Sequence, residues 1–278
     1  MTDFVFIDSG VGGIPYMTTL LKREPATSCV YVADSANFPY GEKSHEQVVN
    51  CVTALVQKII ERFEPAVIVV ACNTMSVNAL DVLRTKFSNV NFVGTVPAIK
   101  LAASVSKKRR IGLLATHATC ENPYNIELKN KFAGDCTLIN RPDPELISFI
   151  EHNAFTASRG ECLEAVKPAV EFFREQNCDV IILGCTHFLN FTDVFEEACA
   201  PDIEVVDSVD GVVRHSLEVH KGGVAGGKPP AGRGSEQRSA SEGKAFPTLY
   251  VTGFSDDSEK KQYETLCARF GLKFEGLF

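Results

Sequence analysis

Two stretches of the chain repeat one design. Val67-Ile68-Val69-Val70-Ala71-Cys72-Asn73-Thr74 and Val180-Ile181-Ile182-Leu183-Gly184-Cys185-Thr186-His187 each read as a buried strand, a small residue, a cysteine, and then polar groups opening a helix. Each cysteine is therefore expected at the carboxyl end of a strand, the edge where open parallel sheets place ligands. A helix N-terminus behind the thiol supplies free N–H groups and a positive dipole end, which lower its pKa from about 8.5 toward the physiological range. Two cysteines in matching settings suggest two half-sites facing one cleft. Thiols on opposite sides of a bound molecule suit removal of a proton from one face and delivery of a proton to the other, one as thiolate and one as thiol. His187 is a natural partner for Cys185, and Asp8, ending the first strand, for Cys72.

Other chemistry is open to the same residues. A Cys–His nucleophile pair for acyl transfer would use one cysteine and leave the duplication unexplained. A zinc site of Cys72, Cys185 and His187 has suitable ligand types but lacks CxxC or HxxxH spacing. A hydrogen-bonded structural residue at a strand end is a second reading of His187. The turn Asp8-Ser9-Gly10-Val11-Gly12-Gly13 allows close backbone approach and an anion site at the next helix start, so it fits either a tight turn or a carboxylate-binding loop. Pro15 stands where a dinucleotide fingerprint wants its third glycine, so no nucleotide cofactor is expected. None of these motifs holds a lysine, so neither pyridoxal phosphate nor a metal is expected. Asn37-Phe38-Pro39-Tyr40-Gly41 is a turn by composition, whose tyrosine either closes over a ligand or packs.

The elements that must position these residues alternate along the chain. Strands are expected at 4–7, 30–33, 67–71, 92–95, 111–115, 180–183, 204–206 and 249–251, and helices at 44–63, 75–87, 98–106, 161–176 and 191–199. The strands are apolar on both faces, as parallel strands covered by helices should be, which makes this an α/β protein with βαβ connections. Pro97 reads as the first residue of a helix, and a domain change is expected near 97–110. The basic run Lys107 to Arg110 reads as a solvated turn. Of the 25 residues from Lys221 to Ala245, 12 are Gly, Pro or Ser, and none is aromatic, so a mobile surface loop is expected there, followed by a folded strand and helix up to Phe270.

Composition narrows the function classes. With 278 residues, 45% hydrophobic and 23% charged, the chain has room for one large or two modest globular domains. The net charge of −7 argues against nucleic acid or a membrane surface as the main partner and favours a small molecule. The absence of a secretory signal or a membrane span leads to an expected cytoplasmic location. In that compartment the ten cysteines are expected to be free thiols, most of them, such as Cys51, Cys162 and Cys178, acting as small buried hydrophobes.

Taken together, FIDSGVGG, DSANFPYG, ACNTMS and GCTH, in this order and spacing, closely resemble the bacterial glutamate racemases of the aspartate/glutamate racemase superfamily. The resemblance runs over most of residues 4–215. It implies a cofactor-independent two-base racemase of two similar α/β domains, with mainly parallel sheets flanked by helices and the active site in the cleft between them. The implied domains are 1–97 with 208–278, and 98–207. Cys72 and Cys185 would be the acid/base pair assisted by Asp8 and His187. Ser9, Tyr40, Gly41, Asn73, Thr74, Thr116 and Thr186 would hold the substrate, and Asp34 and Glu151 also fall where the family carries carboxylates. The implied reaction turns L-glutamate into D-glutamate for peptidoglycan; aspartate racemisation, or amino-acid binding without turnover, is the alternative. A homodimer is left open. Met75, and Phe188-Leu189, depart from the usual pattern and are expected to bear on pocket shape, and the segment 221–245 is an unusual insertion.

Overall fold

The structure, a computed structural model, describes residues 2–153, 156–222 and 246–278. The loop expected at 221–245 therefore lies, beyond Gly222, outside the described residues. The elements are β1 (Thr2–Asp8), α1 (Ile14–Arg23), β2 (Cys29–Ala33), α2 (His45–Phe63), β3 (Pro65–Val70), α3 (Asn73–Lys86), β4 (Asn91–Gly94), α4 (Ile99–Val105), β5 (Arg110–Ala115), α5 (His117–Cys120), α6 (Pro123–Phe132), β6 (Thr137–Pro142), α7 (Pro144–Asn153), α8 (Arg159–Glu175), β7 (Val180–Leu183), α9 (Thr192–Cys199), β8 (Glu204–Val206), α10 (Val209–His220), β9 (Thr248–Val251), α11 (Asp257–Phe270) and β10 (Lys273–Leu277).

The strands form two sheets, β10-β9-β2-β1-β3-β4 and β6-β5-β7-β8. Every pairing among the described residues is parallel. The fold is thus α/β with parallel sheets flanked by helices. Side chains alternate across each strand, so β1 sends Phe4 and Phe6 to one face and Val5 and Ile7 to the other. On the second of these faces, Val48, Val52, Val56 and Ile59 of α2 and Ala79 and Leu83 of α3 cover the sheet. On the first, α1 and α10 pack with Ile14, Met17, Leu20 and Val213. That apolar cluster continues without a break into the smaller sheet, taking in Ile181 and Leu183 of β7 and Val166, Val170 and Phe173 of α8.

Local chemistry explains the helix starts. Ser44 and Gln47 form a reciprocal capping box on α2, and Ser158 and Glu161 form one on α8. Pro15 opens α1, where its missing N–H costs nothing. Pro97, by contrast, is not the first residue of a helix: its carbonyl accepts the Ile99 N–H in a tight turn, and α4 begins at Ile99 with Ala98 as cap. The basic run is a turn clamped by Asp179, which accepts the N–H groups of Lys107 and Lys108 and the hydroxyl of Ser106.

Strands β6 and β10 and helices α1, α5, α6, α7 and α10 were not among the sequence-predicted elements. Both strands lie at sheet edges and mix polar with apolar residues, so neither carries the doubly buried apolar signal.

Gly112 on β5 marks where α8 lies flush on the smaller sheet, since a Cβ there would stand 2.5 Å from Cδ1 of the fully buried Phe173. Gly112→Ala is expected to destabilise the protein by about 1–3 kcal/mol through overpacking. Urea unfolding of the variant checks this, and an unchanged midpoint would show that α8 yields.

Candidate active site

Chain order fixes where ligands belong in each sheet. From the central β1 the chain runs to β2 on one side and β3 on the other, and from β5 to β6 on one side and β7 on the other. The carboxyl ends of β1 and β3, and of β5 and β7, are therefore crevices at topological switch points. Asp8 ends β1, Ser9 follows it and Cys72 follows β3; Thr116 follows β5 and Cys185 follows β7. The two crevices open onto one cavity of about 400 Å³.

Of the eleven residues expected at the site, ten line that cavity: Ser9, Tyr40, Gly41, Cys72, Asn73, Thr74, Thr116, Cys185, Thr186 and His187. The exception, Asp8, lies fully buried beneath its floor. Its Oδ1 accepts the Ser9 N–H at 2.7 Å; its Oδ2 accepts the Gly13 N–H at 2.7 Å, the Thr186 hydroxyl at 3.2 Å and the Tyr31 hydroxyl at 3.3 Å. The glycine turn is thus a carboxylate-binding loop for the protein's own side chains: Asp8 takes Ser9 and Gly13, and Glu151 Oε2 takes the Val11 N–H at 3.2 Å. Gly12 lacks a Cβ because Thr186 and His187 of the other sheet press on it, the His187 nitrogen falling 2.6 Å from where that Cβ would be. Gly41 likewise lies against Thr116, whose Cβ falls 2.9 Å from an added Cβ.

The two thiols have different surroundings. Cys72 caps α3, and its Sγ is 4.0 Å from the Ser9 hydroxyl, which itself lies 3.4 Å from Asp8 Oδ1. Contrary to the expectation of a lowered pKa, burial and then the charge of Asp8 push the Cys72 thiol well up, against which the Met75 N–H acts in the other direction. Burial also raises Asp8 above the usual carboxylate range, opposed by His187 and Cys72. Cys185 precedes a 3-10 turn, Thr186–Phe191, instead of an α-helix, and its Sγ is 3.5 Å from His187 Nδ1. His187 Nε2 meets Glu151 Oε2 at 2.8 Å. Burial disfavours the imidazolium, but the hydrogen bonds and charges of Cys185 and Glu151 outweigh it and hold His187 well above its ordinary value.

Polar side chains complete the walls. Thr74 of α3 and Thr116, which caps α5, share a hydrogen bond of 3.0 Å across the cleft, and the fully buried Thr119 joins both. Among the described residues Asn73 Oδ1 is buried without a hydrogen-bond partner. The Tyr40 hydroxyl donates to Asp34, which also accepts from Asn37 and Thr252. Phe38 packs against the His187 ring at 5.6 Å between centroids. Met75 and Phe188 do not line the cavity; both are fully buried in the apolar clusters, so any bearing they have on its shape is through the residues packed on them. Among the described residues no three His, Cys, Asp or Glu side chains converge as a metal ligand set.

Tyr31 and Thr119 escaped the sequence reading. Tyr31 reads as one more apolar strand residue, and Thr119 carries no signal beyond its spacing of three from Thr116. Glu151→Gln removes the charge facing His187 while keeping its shape, so the His187 titration, followed by NMR of the ring, is expected to move down. A raised histidine pKa stabilises the fold fully below about 6.5 and ceases to do so as pH rises through the folded value, so the variant's stability deficit should shrink in that direction. An unmoved titration would show that Glu151 does not set the charge of His187.

Comparison with known proteins agrees with this arrangement. The family described as Asp/Glu/Hydantoin racemase matches residues 15–215. The chain is 39% identical over 273 residues to a glutamate racemase of Treponema pallidum, covering 98% of this chain and 95% of that one. It is 37% identical over 221 residues to a glutamate racemase of Shewanella oneidensis, covering 76% and 79%. Among solved structures, Escherichia coli glutamate racemase in complex with L-glutamate and the activator UDP-MurNAc-ala superposes with a TM-score of 0.82 at 28% identity, over 100% of this chain and 98% of that one. Two parallel sheets that bring Cys72 and Cys185 to one cavity, and sequence agreement along nearly the whole chain, place this protein in the Asp/Glu/hydantoin racemase family.

Proposed function

We propose that the chain interconverts L- and D-glutamate without a cofactor, by proton transfer between Cys72 and Cys185, and that the D-isomer supplies peptidoglycan synthesis. The observation that carries this reading is that the two thiols reach one cavity from two different sheets. Inverting an α-carbon requires a base on one face and an acid on the other, which a binding protein has no need to provide. Burial and the Asp8 charge keep Cys72 protonated, so in the starting state it is the acid, and Cys185, in contact with His187, is the base. In the opposite direction the roles exchange, and Asp8, with its own pKa raised, is placed to take the Cys72 proton.

Substrate recognition follows from the walls. Among the described residues no lysine or arginine lines the cavity, so the hydroxyls of Ser9, Thr74, Thr116 and Thr186 and the imidazolium of His187 are the groups assigned to receive the carboxylates. The orphaned Asn73 Oδ1 is the acceptor that suits the substrate ammonium. Set for the longer side chain, these donors are left unpaired by aspartate, which favours glutamate by about 1–3 kcal/mol per lost partner.

Circular dichroism of L-glutamate with purified enzyme and no added cofactor tests the activity directly. Cys72→Ser and Cys185→Ser are each expected to lower turnover by at least about a hundredfold, because a hydroxyl is a far poorer acid and base than a thiol. Near-normal turnover in either variant, loss of activity to a chelator with recovery on adding zinc, or equal efficiency on aspartate would each contradict a part of this reading.

A further inference from the structure

Tyr31 stands on β2 beside Phe6 of β1, fully buried and outside the cavity lining. Its hydroxyl oxygen accepts the Gly13 N–H at 3.0 Å. Its single proton has two acceptors within reach, the Gly10 carbonyl at 3.0 Å and Asp8 Oδ2 at 3.3 Å. The other groups on Asp8 differ in kind. The Ser9 and Gly13 N–H groups always donate, and the hydroxyls of Ser9 and Thr186 belong to residues that line the cavity and face substrate. Tyr31 is thus the hydroxyl on Asp8 that belongs wholly to the protein interior.

A buried carboxyl that gains and loses a proton during turnover poses a hydrogen-bonding problem. The carboxylate wants donors, whereas in the acid the oxygen that holds the proton is itself a donor, and a donor aimed at that oxygen that cannot turn away is then left facing another donor at a cost of about 1–3 kcal/mol. A hydroxyl with a second acceptor removes that cost by rotating. We propose that Tyr31 is a positioning residue that lets Asp8 change protonation in place, its O–H directed to Asp8 Oδ2 when Asp8 is a carboxylate and to the Gly10 carbonyl when Oδ2 holds the proton received from Cys72. This rests on the assignment of Asp8 and Cys72 made above. The proton count is simple: the mobile proton passes between Cys72 and Asp8, and the phenol keeps its own proton throughout. Burial and the charges of Asp8, Glu151 and Cys72 hold that phenol well above its ordinary pKa, in keeping with a group that rotates without ionising.

Tyr31→Phe removes the hydroxyl and leaves the ring. At equilibrium L- and D-glutamate are equal in free energy, so any loss in kcat/KM must be the same in both directions, and a half-reaction is needed to see which thiol is affected. A glutamate analogue with chloride on the β-carbon supplies one: a thiolate takes the α-proton, the C–H electron pair becomes the Cα–Cβ double bond, and chloride leaves. Cys185→Ser, retaining only Cys72, identifies the enantiomer that Cys72 deprotonates, and Cys72→Ser identifies the other. In Tyr31→Phe, kcat for glutamate is expected to fall about tenfold with KM little changed, the kinetic equivalent of one lost hydrogen bond to a charged group. Elimination should slow by a similar factor for the Cys72 enantiomer alone. Equal slowing of both enantiomers, or slowing of neither, would overturn the role given to Tyr31. If the two serine variants fail to divide the enantiomers, the two-thiol reading itself falls, and this proposal with it.

Discussion

The buried carboxylate of Asp8 is the constraint on which the architecture turns. Removing a charge from water is costly unless donors surround it, and no single element supplies enough of them. Asp8 gathers its donors from the turn after β1, from Tyr31 on β2, and from Thr186 beyond β7 in the other sheet. The bond from Thr186 makes the position of the smaller sheet a condition for satisfying Asp8. In return, the sheets meet at their carboxyl edges, where both switch-point crevices already lie.

Further contacts hold the same seam. Glu151 on α7 accepts from Val11 in the first turn and meets His187, tying the imidazole beside Cys185 to the turn that follows Asp8. Thr74 reaches Thr116 on the opposite wall. The apolar cluster shared by both sheets lies behind these polar bonds. The missing Cβ of Gly12 lets the backbones of the two halves touch at Thr186 and His187. The cleft is what remains between these contacts, and its two thiols differ because one faces a carboxylate and the other an imidazole held by a carboxylate.

Much of this was legible in the sequence wherever a local pattern carried it. The doubly buried strands β1, β2, β3, β5 and β7 announce themselves as short apolar runs, and Cys72 and Cys185 each fall at a strand end because the run stops at the small residue before it. What stayed hidden depends on contacts between distant positions. Edge strand β6 has a half-polar face, and α6 a weak apolar stripe, so neither stands out. Tyr31 looks like core until β2 is paired with β1, in register Tyr31 to Phe6, and its hydroxyl is seen to reach Asp8. The depressed thiol pKa expected of a helix N-terminus was overruled at Cys72 by burial and by Asp8, which only the fold brings near.

The proposed two-thiol mechanism requires each thiol to serve one face of the substrate. Racemisation of L-glutamate in deuterated water, stopped early and analysed for α-deuterium in each enantiomer, tests this most directly. The delivering thiol exchanges with solvent while the abstracting thiol holds the substrate's own proton, so the D-glutamate first formed should carry deuterium while the remaining L-glutamate does not. Early product that retains the original α-hydrogen, or deuterium entering both enantiomers at equal rates from the start, would mean that a single base serves both faces and would contradict the opposed placement of Cys72 and Cys185.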